Sequence, residues 1–231
     1  MTFKRLLRRA FYYLPYHLYA LPKLRRADTV TVMGFRLTIP LSVFHPQLYY
    51  SSKILGRFIR QLDLRGKRVL DMGTGSGLLA LCAASAGASV VAVDLNPVAV
   101  QVAWANAKAT HFADRILVFQ SDLFASVPSD DKFDYIIWNP PFYETNPTDE
   151  ASLAWRAGTG HDVIQRFANQ ARGQLSPGGR ILIILSSDVD TDRVLSFFQS
   201  ANFTSRRAYT EQRLFESLSV FEFVQNRPDE R

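Results

Sequence analysis

Arg68-Val69-Leu70-Asp71-Met72-Gly73-Thr74-Gly75-Ser76-Gly77 is the stretch that decides the fold. A short apolar run ends in an aspartate, and glycines follow at 73, 75 and 77. The apolar residues from Leu78 to Ala86 then open a helix. Strand, glycine-rich turn and helix in that order predict the first unit of a nucleotide-binding α/β sheet. Glycine lets the backbone turn sharply and approach a ligand without a Cβ clash. The spacing Gly-x-Gly-x-Gly departs from the dinucleotide fingerprint, which has two residues between its second and third glycines.

On either side the chain alternates strand and helix. A β-hairpin is expected over 29–32 and 35–39 about Met33-Gly34, then a loop over 40–46 and a helix over about 48–62. Strands are expected at 68–71, 89–94, 116–120, 135–138 and 180–185. Helices are expected at 78–86, from Asn96-Pro97 to Ala109, at 162–175 with Pro177-Gly178-Gly179 as its stop, and at 192–201. Strands at 204–209 and 214–225 close the chain with a short connection, which predicts an antiparallel edge on a mostly parallel sheet.

Two carboxylates extend the glycine loop into a site. Asp94 ends the second strand, where an acidic side chain can accept hydrogen bonds from both hydroxyls of a ribose. Asp122 follows the third strand beside Leu123 and Phe124 and could accept from an adenine amino group, with apolar neighbours on the ring. The plainer alternative for both is a helix or turn cap. Asp71 is expected to position the loop or to meet the ligand's amino group.

Asn139-Pro140-Pro141-Phe142 follows the apolar run Tyr135-Ile136-Ile137-Trp138. It therefore sits beyond the carboxyl end of a buried strand, where open α/β sheets present ligands. The asparagine amide offers one acceptor and two donors. The prolines fix the backbone and remove competing N–H groups. The aromatic ring offers a flat face to a planar nitrogen. The alternative is a Pro-Pro turn with no chemistry.

Together the two pieces resemble the class I S-adenosylmethionine (SAM) methyltransferases that act on planar amide or amino nitrogens. The fold implied is α/β and Rossmann-like, a seven-stranded, mostly parallel sheet with an antiparallel edge hairpin and an N-terminal helical extension. The cofactor implied is SAM, with S-adenosylhomocysteine as product. Its expected contacts are Asp71, Gly73, Thr74, Gly75, Gly77, Asp94, Leu95, Asp122, Leu123 and Asn139. Asn139, Pro140 and Phe142 are the expected catalytic residues.

The tetrapeptide is shared by enzymes that modify protein glutamine (the HemK type) and by enzymes that modify adenine or guanine amines. The segment from Leu153 to Asp162 looks like the HemK-type turn into a helix, and Arg213 to Val220 resembles the last hairpin of the shorter, archaeal and eukaryotic HemK-like enzymes. The resemblance spans about Phe44 to Val224. It implies a protein glutamine acceptor in a release factor or ribosomal protein. An RNA or DNA base amine is the rival, followed by a small-molecule or membrane-associated substrate and by a non-catalytic binding module. Bacterial release-factor enzymes carry a substantial N-terminal helical domain, whereas here about 40 residues, including a hairpin, precede the loop at Leu41, and Phe142 and Tyr143-Glu144 follow the prolines. Shorter HemK-like enzymes often need a small zinc-binding activator over an apolar edge, a role the N-terminal segment here could fill. His45 is expected to be structural, and Tyr49, Tyr50 and Trp155 to be core or pocket walls.

Composition narrows the rest. The 231 residues are 47% hydrophobic, enough for one domain with a full core but not for a second large one. One cysteine, Cys82, excludes a disulfide framework within the chain and reads as core. Histidines at 17, 45, 111 and 161 are scattered, so no metal site is expected. Lys4, Arg5, Arg8, Arg9, Lys23, Arg25 and Arg26 are seven basic residues in the first 26, with no acid among them. The net charge of +6 less those seven leaves −1 for the remainder. Residues 1–28 thus read as a basic amphipathic extension to a methyltransferase domain at 29–231. The extension could pack on the domain, lie on an anionic membrane, or bind RNA or a ribosomal partner. A cytoplasmic enzyme, with or without peripheral membrane contact through residues 1–26, is expected.

Overall fold

The computed structural model describes residues 28–40, 42–43, 50–141, 162–214 and 216–226. The readings of His45, Tyr49, Phe142, Tyr143-Glu144, Trp155, most of Leu153 to Asp162 and the basic extension lie outside them.

The alternation of side chains along each strand divides the core into two layers. In β3 (Arg68–Met72), Val69 enters one layer while Leu70 and Met72 enter the other. In β4 (Ser89–Asp94), Val90 and Ala92 join Val69, and Val91 and Val93 join Leu70. The same division runs through β5 (Ile116–Gln120), β6 (Phe133–Trp138), β7 (Leu175–Ser186) and β9 (Ser217–Gln225).

The first layer packs under α1 (Tyr50–Ile59), α2 (Leu78–Ser85) and α3 (Pro97–Ala109). The hairpin β1 (Asp28–Val32) and β2 (Phe35–Ile39) joins them there. Helix α2 is buried at every position from Leu78 to Ala84, because the sheet lies on one side and α1 on another. Cys82 is fully buried in it, and burial pushes its thiol up to about 12. The second layer packs under α4 (Asp162–Ala171) and α5 (Thr191–Ser200) and is rich in rings. Trp138 stacks on Phe167 at 4.2 Å, and Phe198 on Phe223 at 3.9 Å.

The large sheet has the order β5-β4-β3-β6-β7-β9-β8, with β8 at Phe203–Gln212. Strands β5, β4, β3, β6 and β7 are parallel. Strand β9 runs against both β7 and β8. The fold is thus the seven-stranded, mostly parallel sheet that the sequence predicts. The chain's order reverses between β3 and β6, so the two loops leaving them open into one crevice.

Several strand ends move by one to three residues, as where β8 runs to Gln212 and β9 starts at Ser217, and two larger differences concern the approach to β7. Helix α4 stops at Ala171 and tightens into a short 3₁₀ turn over Arg172–Gln174. Pro177-Gly178-Gly179 does not lie between helix and strand but bulges within β7, where the pairing with β6 jumps from Phe133–Leu175 to Tyr135–Arg180. A Cβ at Gly179 would lie 2.8 Å from the Phe133 carbonyl oxygen, so the bulge needs glycine there. Helix α1 is described over Tyr50–Ile59, within the expected 48–62. Among the described residues no helix is long and apolar enough to cross a membrane.

Candidate cofactor and acceptor site

The glycine loop is held from below by a buried aspartate. Asp71 has no exposed surface. Its Oδ2 accepts from Thr74 Oγ1 at 2.7 Å and from the Ala80 backbone N–H at 3.0 Å, tying the loop to the first turn of α2. Its Oδ1 is buried without a partner. Burial pushes the Asp71 carboxyl up to about 7 against the pull of those two donors, and nearby Asp94 raises it further.

Gly73, Gly75 and Gly77 have φ of +63°, +54° and +83°. Such angles strain any residue with a Cβ. At Gly77 a Cβ would also stand 3.2 Å from the Ala103 Cα, so the loop lies directly on α3. A Cβ at Gly73 would lie 3.5 Å from Trp138 Nε1, which places the end of β6 against this loop.

Asp94 closes the cradle. Its Oδ2 accepts from the Gly75 N–H at 2.8 Å and its Oδ1 from the Asn96 N–H at 2.9 Å. The carboxylate keeps acceptor capacity for a ribose hydroxyl. Burial raises this carboxyl above the ordinary range, opposed by the backbone N–H groups of Asn96, Gly75 and Leu95. Leu95 beside it is 56% exposed, an apolar face left toward solvent.

Leu123 is buried with φ +51°, and Ser121 Oγ donates to its carbonyl at 2.7 Å. Asp122 is half-exposed, and its Oδ2 takes Arg166 Nη2 of α4 at 2.7 Å. An adenine amino group would find only the other oxygen without this ion pair.

Three residues to which sequence reasoning gave no site role, Asn96 being read only as a helix start, complete the frame. Asn106 of α3 is buried and uses its whole amide: Oδ1 takes the Thr38 N–H, while Nδ2 donates to the Thr38 and Ser76 carbonyls. It thereby clamps the hairpin to the glycine loop. Asn96 caps α3 and donates to the Ser42 carbonyl at 3.0 Å, holding the segment after β2 over Gly75. Ser52 of α1 accepts from Asn139 Nδ2 at 2.9 Å. Asn106 could have been suspected, because it falls on the buried face marked by Ala99, Ala103 and Ala107. Ser52 carries the same mark, a small polar residue on the helix face of Leu55 and Ile59, but its partner lies far along the chain.

Asn139 itself extends beyond β6 with its amide oxygen buried and unpartnered. Pro140 and Pro141 follow it with no N–H to donate. Tyr50, read as core or pocket wall, is 45% exposed, with the Arg213 guanidinium 3.7 Å over its ring. Among the described residues no three His, Cys, Asp or Glu side chains are grouped to hold a metal.

The donor set suits SAM. A glycine-rich loop with positive φ at 73, 75 and 77, the Asp94 carboxylate bound to that loop, and the unpartnered polar atoms Asp71 Oδ1 and Asn139 Oδ1 all lie at the carboxyl ends of β3, β4 and β6.

Comparison with known proteins agrees. The methyltransferase small-domain family matches residues 43–211. A candidate protein N5-glutamine methyltransferase of Methanocaldococcus jannaschii is 35% identical over 165 residues, covering 68% of this chain and 79% of that protein. A release factor glutamine methyltransferase of Rhodopirellula baltica is 33% identical over 139 residues, 55% of this chain and 47% of its own. A tRNA1(Val) adenine-N6 methyltransferase of a Flavobacteriaceae bacterium is 39% identical over 90 residues, 38% of each chain. The chain thus spans less than half the length of the last two. Among solved structures, the Thermus thermophilus 16S rRNA N2 G1207 methyltransferase, in complex with AdoMet and guanosine, superposes with a TM-score of 0.65 at 23% identity. That match covers 87% of this chain and 50% of the other, and it shows the fold. The chain belongs to the methyltransferase small-domain family and is a SAM-dependent methyltransferase.

Proposed function

We propose that this enzyme methylates the side-chain amide nitrogen of a protein glutamine, in a release factor or ribosomal protein. The observation that carries the reading is the buried, unpartnered amide oxygen of Asn139 beside the glycine loop. An amide nitrogen is a poor nucleophile because its lone pair is delocalised. Acceptors placed on its two N–H groups favour positive charge building on nitrogen and aim the group. Asn139 Oδ1 supplies one acceptor and the Pro140 carbonyl the other, and the motif assigns stacking on the planar group to Phe142, which lies outside the described residues. SAM supplies the electrophilic methyl carbon when bound. Asp94 and the backbone around Gly73, Gly75 and Gly77 hold its ribose and methionine ends, with Asp71 and Thr74 fixing the loop. Leu95 and Leu123 wall the adenine, and Asp122 takes its amino group.

The relatives named for glutamine include the one matched over two thirds of this chain, which favours an amide acceptor. The tRNA adenine relative supports the second reading, a base amine held by the same two acceptors. We place the domain from residue 28, one residue before the expected start, because β1 begins at Asp28 paired with Ile39 and Asn106 makes the hairpin part of the cofactor frame. The residues before it are then a basic extension for a partner, and the enzyme works in the cytoplasm. The test is incubation of the purified enzyme with SAM and a release factor, followed by peptide mass spectrometry. One methyl on the glutamine of a Gly-Gln motif is expected. An unmodified factor with methyl entering RNA would overturn the amide reading.

A further inference from the structure

We propose that Tyr50, Lys53, Arg57 and Arg213 form a docking patch beside the acceptor crevice that takes one acidic side chain of the protein substrate. The inference rests on the glutamine reading and specifies a neighbour of the methylated glutamine.

Two elements far apart in the chain meet at this corner. Tyr50, Lys53 and Arg57 stand at i, i+3 and i+7 of α1, so they share a face, and it lies outside the helix's buried residues. Arg213 and Leu214 lie in the turn from β8 to β9, where the Arg213 N–H donates to the Glu216 carbonyl at 2.8 Å. The Tyr50 ring joins the two, with Arg213 Cζ 3.7 Å and Lys53 Nζ 4.2 Å from its centroid. Glu211 bonds both Arg57 and Arg213, so one negative charge is shared by two positive ones. The Glu216 carboxylate accepts from Ser186 Oγ. Burial lowers the Lys53 ammonium below its ordinary range, and Arg213 and Arg57 lower it further. Cations are thus crowded here, and an incoming carboxylate would relieve the crowding.

The make-up of the patch favours a protein partner. Tyr50 is 45% exposed and Leu214 73%, so apolar surface adjoins the charges. Tyrosine and arginine are enriched at protein contacts. A nucleic-acid backbone calls for basic residues over many phosphates. The chain beyond residue 26 carries −1 overall, and this patch is confined to one helix face and one turn. Helix α1 also reaches the acceptor end, through the hydrogen bond between Ser52 and Asn139. At a rise of about 1.5 Å per residue, Tyr50, Lys53 and Arg57 stand within about 8 Å of Ser52 along the helix. With the reach of the side chains added, an extended peptide covers that span in about four residues.

The experiment compares wild type, Arg213→Gln and Arg57→Gln in tritium transfer from labelled SAM into extract of cells lacking the enzyme. Protease and nuclease assign the label, and mass spectrometry reads the labelled peptide. Arg213→Gln should raise the amount of extract needed for half-maximal rate about three- to tenfold, and the more exposed Arg57→Gln by less. SAM binding by calorimetry should be unchanged in both. The difference from wild type should fade as ionic strength approaches about 1 M, where charges are screened within about 3 Å. The methylated glutamine should have an aspartate or glutamate within about four residues. Protein label in a peptide without such an acid, or an unchanged extract requirement in both variants, would overturn the patch and leave the glutamine reading standing. Label released by nuclease would overturn the glutamine reading and the patch with it.

Discussion

The cofactor half and the acceptor half of the crevice are built differently. Around β3 and β4 the polar groups are tied mainly to backbone: Asp71 to Ala80, Asp94 to Gly75 and Asn96, and Asn106 to Thr38 and Ser76. At the end of β6 one side chain, Asn139, is hydrogen-bonded to one other side chain, Ser52, and its amide oxygen is buried without a partner. In the proposed reading the first half meets a ligand common to the family, and the second, among the described residues, offers the acceptor one side chain and the backbone at Pro140. Relatives named for glutamine and for adenine fit this division, since both align with this chain.

The largest expected effect separates the halves. Asn139→Ala should cut methyl transfer by roughly 10²–10³-fold, the usual cost of a donor or acceptor that meets developing charge. SAM binding by calorimetry should change little. A parallel loss of binding would make Asn139 part of the cofactor half instead.

Asp94→Ala should do the reverse. Losing acceptors for two hydroxyls should weaken SAM binding by roughly 10- to 100-fold, at about 1–3 kcal/mol for hydrogen bonds to a charged group. An unchanged dissociation constant would remove the ribose assignment.

Asp71 gives a pH signature to the cofactor half. Its carboxyl lies near 7 in the fold and near 3.8 in the unfolded chain. Between these values the folded state holds the extra proton, so rising pH costs stability, on the order of 1.4 kcal/mol per pH unit from this group. Above about 7 the cost is constant. Asp71→Asn keeps an acceptor for Thr74 and Ala80 and cannot ionise. Its stability relative to wild type should rise between pH 4 and pH 7 in urea melts. Parallel curves would show that Asp71 stays ionised.

The smallest effect is at the border of the two halves. The Arg166–Asp122 pair is about half-exposed on both sides, so Arg166→Ala should alter SAM affinity by no more than about fivefold. A larger loss would mean that α4 orients the adenine acceptor.

The same contrast governs what could be read from sequence. Strands, helices and the glycine loop were legible because local periodicity and glycine spacing encode them. Pro177-Gly178-Gly179 looked like a helix stop, since a bulge inside β7 depends on the Phe133 carbonyl of a neighbouring strand. Asp94 and Asn139 were legible as strand-ending polar residues. The Ser52–Asn139 pair and the Arg166–Asp122 pair were not, because each joins elements far apart in the chain. Asn106 lay between, visible as a polar residue on an apolar helix face but with partners that only the fold supplies.

The most direct test of the amide reading is tritium transfer from labelled SAM into extract, with the product split between protease and nuclease digestion and Asn139→Ala as the blank. Label released by protease and kept through nuclease is the predicted result. Label released by nuclease and kept through protease would contradict the reading and make a nucleic-acid base the acceptor.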